Sequence, residues 1–161
     1  MAQSVKNALG IIAAILICQL AGVIGSVFTA SSVTTWYTTL AKPAFNPPSW
    51  VFGPVWTELY TMMGVAAWLV WQKGPGNPVV RTALVVFGCQ LVLNAVWSMV
   101  FFGLRSPGAA FVEIIILWAA ILLSVILFFR VSSAAGILLL PYIAWVSFAA
   151  VLNFAIWRLN P

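Results

Sequence analysis

Few side chains in this sequence have the chemistry to hold or act on a ligand, and aromatic rings dominate them. Nine tryptophans, eleven phenylalanines and three tyrosines stand against two acids, Glu58 and Glu113, and no histidine. The lack of imidazole rules out His-ligated haem, His-bound zinc and any His-dependent triad, so no cofactor is expected. Cys18 and Cys89 lie inside apolar runs, where a thiol acts as a small hydrophobe. The rings recur at helical spacing. Gln90, Asn94, Trp97 and Phe101 share one stripe, Trp56, Tyr60 and Met63 a second, and Pro141, Trp145 and Ala149 a third, with Asn153 close by. Turned inward together, the stripes would line an aromatic cavity with a few amide groups, suited to a flat, largely apolar ligand. The other reading of the same spacing is ordinary helix packing joined by Gln and Asn hydrogen bonds. No acid–base pair, nucleophile constellation or metal site accompanies the stripes, so a conventional enzyme is not expected.

The elements that position these residues must sit in lipid. The chain is 64% hydrophobic and 6% charged, where soluble domains run near 25% charged. A water-facing surface cannot be built from so few charges. Five apolar runs of 21 to 24 residues each suffice to cross the hydrocarbon core, which takes about 20 residues of helix. Barrel strands would be about half as long. Helices are therefore predicted at about 6–29, 50–72, 80–103, 107–130 and 133–158, in a single transmembrane domain spanning 1–161. The first run exceeds a signal-peptide core and reads as a retained helix. The fold class that follows is an all-α integral membrane protein, a bundle of five transmembrane helices with a long structured loop between helices 1 and 2. Short connections make consecutive helices antiparallel neighbours, and five spans put the termini on opposite sides.

The net charge of +5 and pI of 9.8 come from scattered basic residues. Lys6, Lys73, Arg81 and Arg130 fall on the amino-terminal side; Lys42, Arg105 and Arg158 fall on the other. Nucleic-acid binding needs a clustered basic face, whereas single Lys and Arg beside apolar runs anchor at lipid headgroups. Four against three sets no orientation by the positive-inside rule. Glu58 lies about 12 Å into its helix, at 1.5 Å per residue, and about 200° round it from Trp56 and Tyr60. That offset points to helix packing or a protomer contact rather than the cavity, although a carboxyl at such depth also suits a proton-coupled small-molecule exporter. Ala21, Gly22, Gly25 and Ser26 mark a face for close helix contact or dimerisation. The loop over 29–50 carries Trp36, Tyr37, Lys42 and three prolines; residues 33–40 read as one or two helical turns ended by Pro43. It is either an interfacial aromatic belt with a rigid turn or a lid over the bundle.

Several motifs together carry a resemblance. Trp36-Tyr37, Leu40-x-Lys42-Pro43, Asn46-Pro47-Pro48-x-Trp50, Val55-Trp56-x-x-Leu59-Tyr60-x-x-Met63-Gly64, Gln90-Leu91-x-Leu93-Asn94-x-x-Trp97-Ser98, Phe101-Phe102-Gly103, Pro141-Tyr142-x-x-Trp145 and Leu152-Asn153 occur in order along nearly the whole chain. In this the sequence resembles the TspO/MBR family of tryptophan-rich sensory and translocator proteins. The resemblance implies a five-helix bundle, often a homodimer, whose cavity beneath the first loop binds porphyrins, haem-type ligands, sterols and benzodiazepine-type compounds. It implies a receptor with a regulatory or transport role, in a bacterial cell membrane. The ligand-binding positions it implies are Tyr37, Trp56, Tyr60, Asn94, Trp97, Ser98, Ile114, Trp145 and Ala149. It also implies, as an alternative, light-dependent degradation of porphyrin in which Trp56 and Trp145 are the catalytic pair. One departure stands out. The sterol motif of the mitochondrial branch needs a central Tyr, and the matching stretch here has Phe154 before Arg158.

Overall fold

The computed structural model describes residues 2–161, and Met1 lies outside the described residues. It is all-α, with no strand among the described residues: α1 (Ala2–Val33), α2 (Trp36–Thr39), α3 (Ser49–Trp71), α4 (Pro78–Ser98) running into a π-helical turn (Met99–Gly103), α5 (Pro107–Val131), α6 (Ser133–Leu138) and α7 (Leu140–Leu159). Four helical stretches, Ser4–Val33, Pro78–Gly103, Pro107–Val131 and Ser133–Leu159, are long and apolar enough to cross a membrane. The fifth expected span, α3, is shorter at 23 residues, still enough to cross the hydrocarbon core, but is diluted by Glu58, Tyr60, Pro54 and four tryptophans. It completes the bundle by packing on α1 and, at one end, on α6. The protein is an integral membrane protein.

Helix ends follow local chemistry. The predicted first helix stops near residue 29, yet α1 continues to Val33. Its hydroxyls explain the extension: Ser26, Thr29 and Ser31 donate back to the carbonyls of Val23, Gly25 and Phe28 at 2.7, 3.3 and 3.0 Å. A polar side chain satisfied by its own helix does not break it. Asn77 caps α4 by accepting from the Val79 amide at 2.9 Å, with Pro78 in the first turn, where its missing N–H is harmless. The predicted helix over 133–158 is two helices, α6 and α7, interrupted at Leu139. Pro141 has no N–H for the Ile137 carbonyl, so the regular ladder cannot pass through it.

Close approach of α1 to α3 depends on two glycines. A Cβ on Gly64 would stand 2.5 Å from the Ile15 Cα, and one on Gly22 would enter the Tyr60 ring. Gly25 faces Ser98 and Ala95 of α4, so the small-residue face of α1 is used inside the bundle. The core at mid-bundle gathers Met63, Ala66, Ile114, Leu117, Ile121, Phe128 and Val146. At the opposite end from Ala2, Asn160 at the end of α7 contacts Ala41 in the first loop, so the described termini lie at opposite ends of the bundle.

Candidate functional site

Under the first loop lies a cavity of about 620 Å³, walled by α1, α3, α4 with its π turn, and α7. On α3 and α4 the wall takes part of each predicted stripe: Trp56 and Tyr60 lie one turn apart, as do Asn94 and Ser98, with Trp97 between, whereas Met63 and Gln90 are buried in the core away from it. The π turn adds Phe101 and Phe102, adjacent residues that both line the cavity. The wider turn is closed by the Leu104 amide donating to the Met99 carbonyl at 2.8 Å, five residues back. Such π insertions recur at functional sites.

The rings are fixed by one another and by amides. Trp56 stacks on Tyr60 at 5.5 Å between centroids and meets the Tyr142 ring edge-on at 6.2 Å. Trp97 stacks on Phe101 at 5.2 Å. Its indole N–H donates to Asn153 Oδ1 at 3.1 Å, and Asn153 Nδ2 donates to the Pro107 carbonyl at 2.7 Å. Deeper in, the Tyr60 hydroxyl donates to Asn94 Oδ1. Asn94 Nδ2 donates to the Tyr142 hydroxyl at 3.0 Å, which donates to Gln90 Oε1 at 2.8 Å. Three helices are thereby joined through one buried polar chain, the arrangement that polar groups at membrane depth require.

The loop forms the roof. The Tyr37 hydroxyl donates to Asn46 Oδ1 at 2.9 Å, and Lys42 Nζ sits 4.7 Å from the Tyr37 ring centroid while donating to the Leu40 carbonyl at 3.0 Å. Burial pushes the Tyr37 phenol above its ordinary range, against a smaller opposing effect of Asn46, so it stays a hydrogen-bond donor. Asn160 clasps the loop from α7: Ala41 N donates to its Oδ1 at 3.0 Å, and its Nδ2 donates to the Ala41 carbonyl at 2.9 Å. The predicted helical turn before Pro43 is α2, and Tyr37 on it faces the cavity.

Six of the nine ligand-binding positions expected from sequence line this cavity: Tyr37, Trp56, Tyr60, Asn94, Trp97 and Ser98. Ile114, Trp145 and Ala149 do not. Ile114 is buried in the mid-bundle core, and Ala149 packs against it. Trp145 stands outside, edge-on to Phe52 at 6.0 Å, with its indole N–H buried and unpartnered. It lines a separate groove of about 540 Å³ between α3 and α7, together with Glu58. Glu58 is absent from the cavity wall. Glu113 is half-buried on α5, with both carboxyl oxygens enclosed and unpartnered. Sequence reasoning missed Gln19, Gly22, Ser26 and Thr29 on α1, and Trp50, Phe52 and Phe102. Of these, Trp50 and Phe102 carried a signal, as further rings within the motifs already singled out. No charged side chain is among the cavity's lining residues, and no cluster of metal-ligating side chains exists among the described residues.

The chain matches the model of the TspO/MBR family over residues 14–158. It is 47% identical to the tryptophan-rich protein TspO of Chlorobaculum tepidum, across 97% of this chain and 99% of that one. To the human translocator protein it is 39% identical, across 85% and 82% of the two chains. Against the tryptophan-rich sensory protein of Cereibacter sphaeroides the identity is 39%, with 78% and 77% covered. With a family match over nearly its whole length and relatives alike across most of both chains, this chain belongs to the TspO/MBR family.

Proposed function

We propose that this protein is a membrane receptor for porphyrins and related tetrapyrroles, held in the cavity under the first loop and serving a regulatory or transport role. The observation that carries the reading is the cavity wall. Tyr37, Trp56, Tyr60, Trp97, Phe101 and Phe102 surround about 620 Å³ with ring surface, and Asn94, Ser98 and Asn153 supply the polar points. A planar conjugated ligand gains most from such a wall, and the volume lies within the range of small-molecule sites. Relatives named translocator protein support a receptor or transport role in kind. Sterols and benzodiazepine-type compounds suit the same apolar wall, and a homodimer in one transmembrane domain is part of the reading.

Ring stacking, not axial ligation, holds the ligand, because the chain has no histidine and Cys18, Met62, Met63 and Met99 lie off the cavity wall. Metal-free protoporphyrin and haem should therefore bind within about tenfold of each other, followed by tryptophan quenching in lipid nanodiscs. A haem preference above about a hundredfold, near 2.7 kcal/mol, would overturn stacking. A second reading, light-dependent porphyrin degradation, draws on Trp56 stacked on Tyr60, two oxidisable rings at the cavity wall. Illumination of the same complex decides it: loss of porphyrin absorbance that disappears in Trp56→Phe would make the protein an enzyme.

A further inference from the structure

The groove between α3 and α7 is separate from the cavity and differently built. The two helices diverge, since α3 packs chiefly on α1 and reaches the α7 side mainly through α6 at one end. Val55, Leu59 and Met62 form one wall of the wedge, and Trp145 and Phe148 form the other. Glu58 is its one charged lining residue, exposed on the flank of the bundle. Nothing among the described residues pairs with it.

Glu58 sits nine residues from the start of α3, about 13 Å along the axis at 1.5 Å per residue, in a hydrocarbon core about 30 Å thick. A carboxylate facing lipid there has no water to solvate it and calls for a cation. The chain cannot supply one. Lys6, Lys73, Arg81 and Arg130 sit at one end of the bundle and Lys42, Arg105 and Arg158 at the other, so a second copy brings no basic residue to that depth either. Zwitterionic lipids keep their headgroups at the interface. What fits is a cation carried into the bilayer by its own apolar body. The Trp145 ring, lining the same groove as the carboxylate, offers a face that attracts positive charge, and the Val, Leu, Met and Phe walls suit the body.

We propose that the α3–α7 groove is a second binding site, for a lipophilic monovalent cation, with Glu58 as its counter-ion and Trp145 as its aromatic face. The test uses the full chain in phosphatidylcholine nanodiscs with radiolabelled tetraphenylphosphonium in equilibrium dialysis. Saturable binding of one cation per chain above empty nanodiscs is expected. Glu58→Gln should weaken it tenfold or more, and Met62→Trp, which fills the groove without touching charge, should do the same. Protoporphyrin binding should stay within about twofold in both variants, with the helical unfolding temperature checking the fold. Wild-type cation affinity in Glu58→Gln would overturn the proposal, and so would displacement of the cation by protoporphyrin, which would put it in the cavity. A change of oligomeric state in Glu58→Gln would assign the groove to a second copy and also count against it. If Glu58→Gln fails to fold, Met62→Trp and the protoporphyrin competition still decide.

Discussion

Trp56 and Trp145 stand in different places, and the difference makes a sharp test. Trp56 lines the cavity and is braced by Tyr60; Trp145 lies beyond Phe52, in the groove. Trp56→Ala should weaken porphyrin binding by about 1–3 kcal/mol, the range for losing one aromatic platform under a planar ring. Trp145→Ala should weaken it less, and Trp118→Ala, whose indole bonds Ser147 away from the cavity, serves as the baseline. If Trp56→Ala titrates like Trp118→Ala, the cavity is not the site. Trp56, Tyr60, Asn94 and Trp97 were legible in the sequence because polar and aromatic residues repeat every turn on helices that are otherwise aliphatic, whereas Ser98 entered only through the family resemblance. Ile114 sits in a run of three isoleucines, where nothing marks one face from another. The α1 wall was not legible because Gly22, Ser26 and Thr29 carry no ring, and small residues on a membrane helix read equally well as contact with any neighbour.

Helix content was legible from the apolar runs, whereas the breaks were not fully so. Pro141 is visible in the sequence, yet whether it starts a helix or interrupts one depends on what α6 packs against, and here α6 packs on α3 and α5. The π turn left no signal, since its five residues read as a normal helical end; it shows only in which neighbours Phe101 and Phe102 share. The loop clasp was likewise hidden, because Asn160 and Ala41 are 119 residues apart and meet only once the bundle is assembled. Asn160→Ala removes both hydrogen bonds to Ala41 and should free the loop from α7. Protoporphyrin should then dissociate several-fold faster in stopped flow, with new protease cleavage between residues 38 and 46. An unchanged off-rate with the loop cleaved would mean that the loop is not the cavity's closure.

The assembled bundle places its amino and carboxyl ends at opposite poles, with a wholly uncharged chamber near one of them. Gln3→Cys and Pro161→Cys, each in a Cys18→Ala, Cys89→Ala background, should be labelled by an impermeant maleimide from opposite faces of a sealed vesicle. Labelling from one face only would reject the five-span topology. The uncharged chamber also bears on ionic strength. Attraction between exposed charges fades as the Debye length shrinks from about 30 Å at 0.01 M salt to about 3 Å at 1 M, while stacking is indifferent to salt. With no ionised group in the wall, protoporphyrin and its dimethyl ester should bind alike, and neither affinity should move more than about twofold between those salt concentrations. A diacid whose binding falls steeply with salt while the ester's holds would place its carboxylates against Lys42 on the roof, making the rim and not the chamber the source of selectivity.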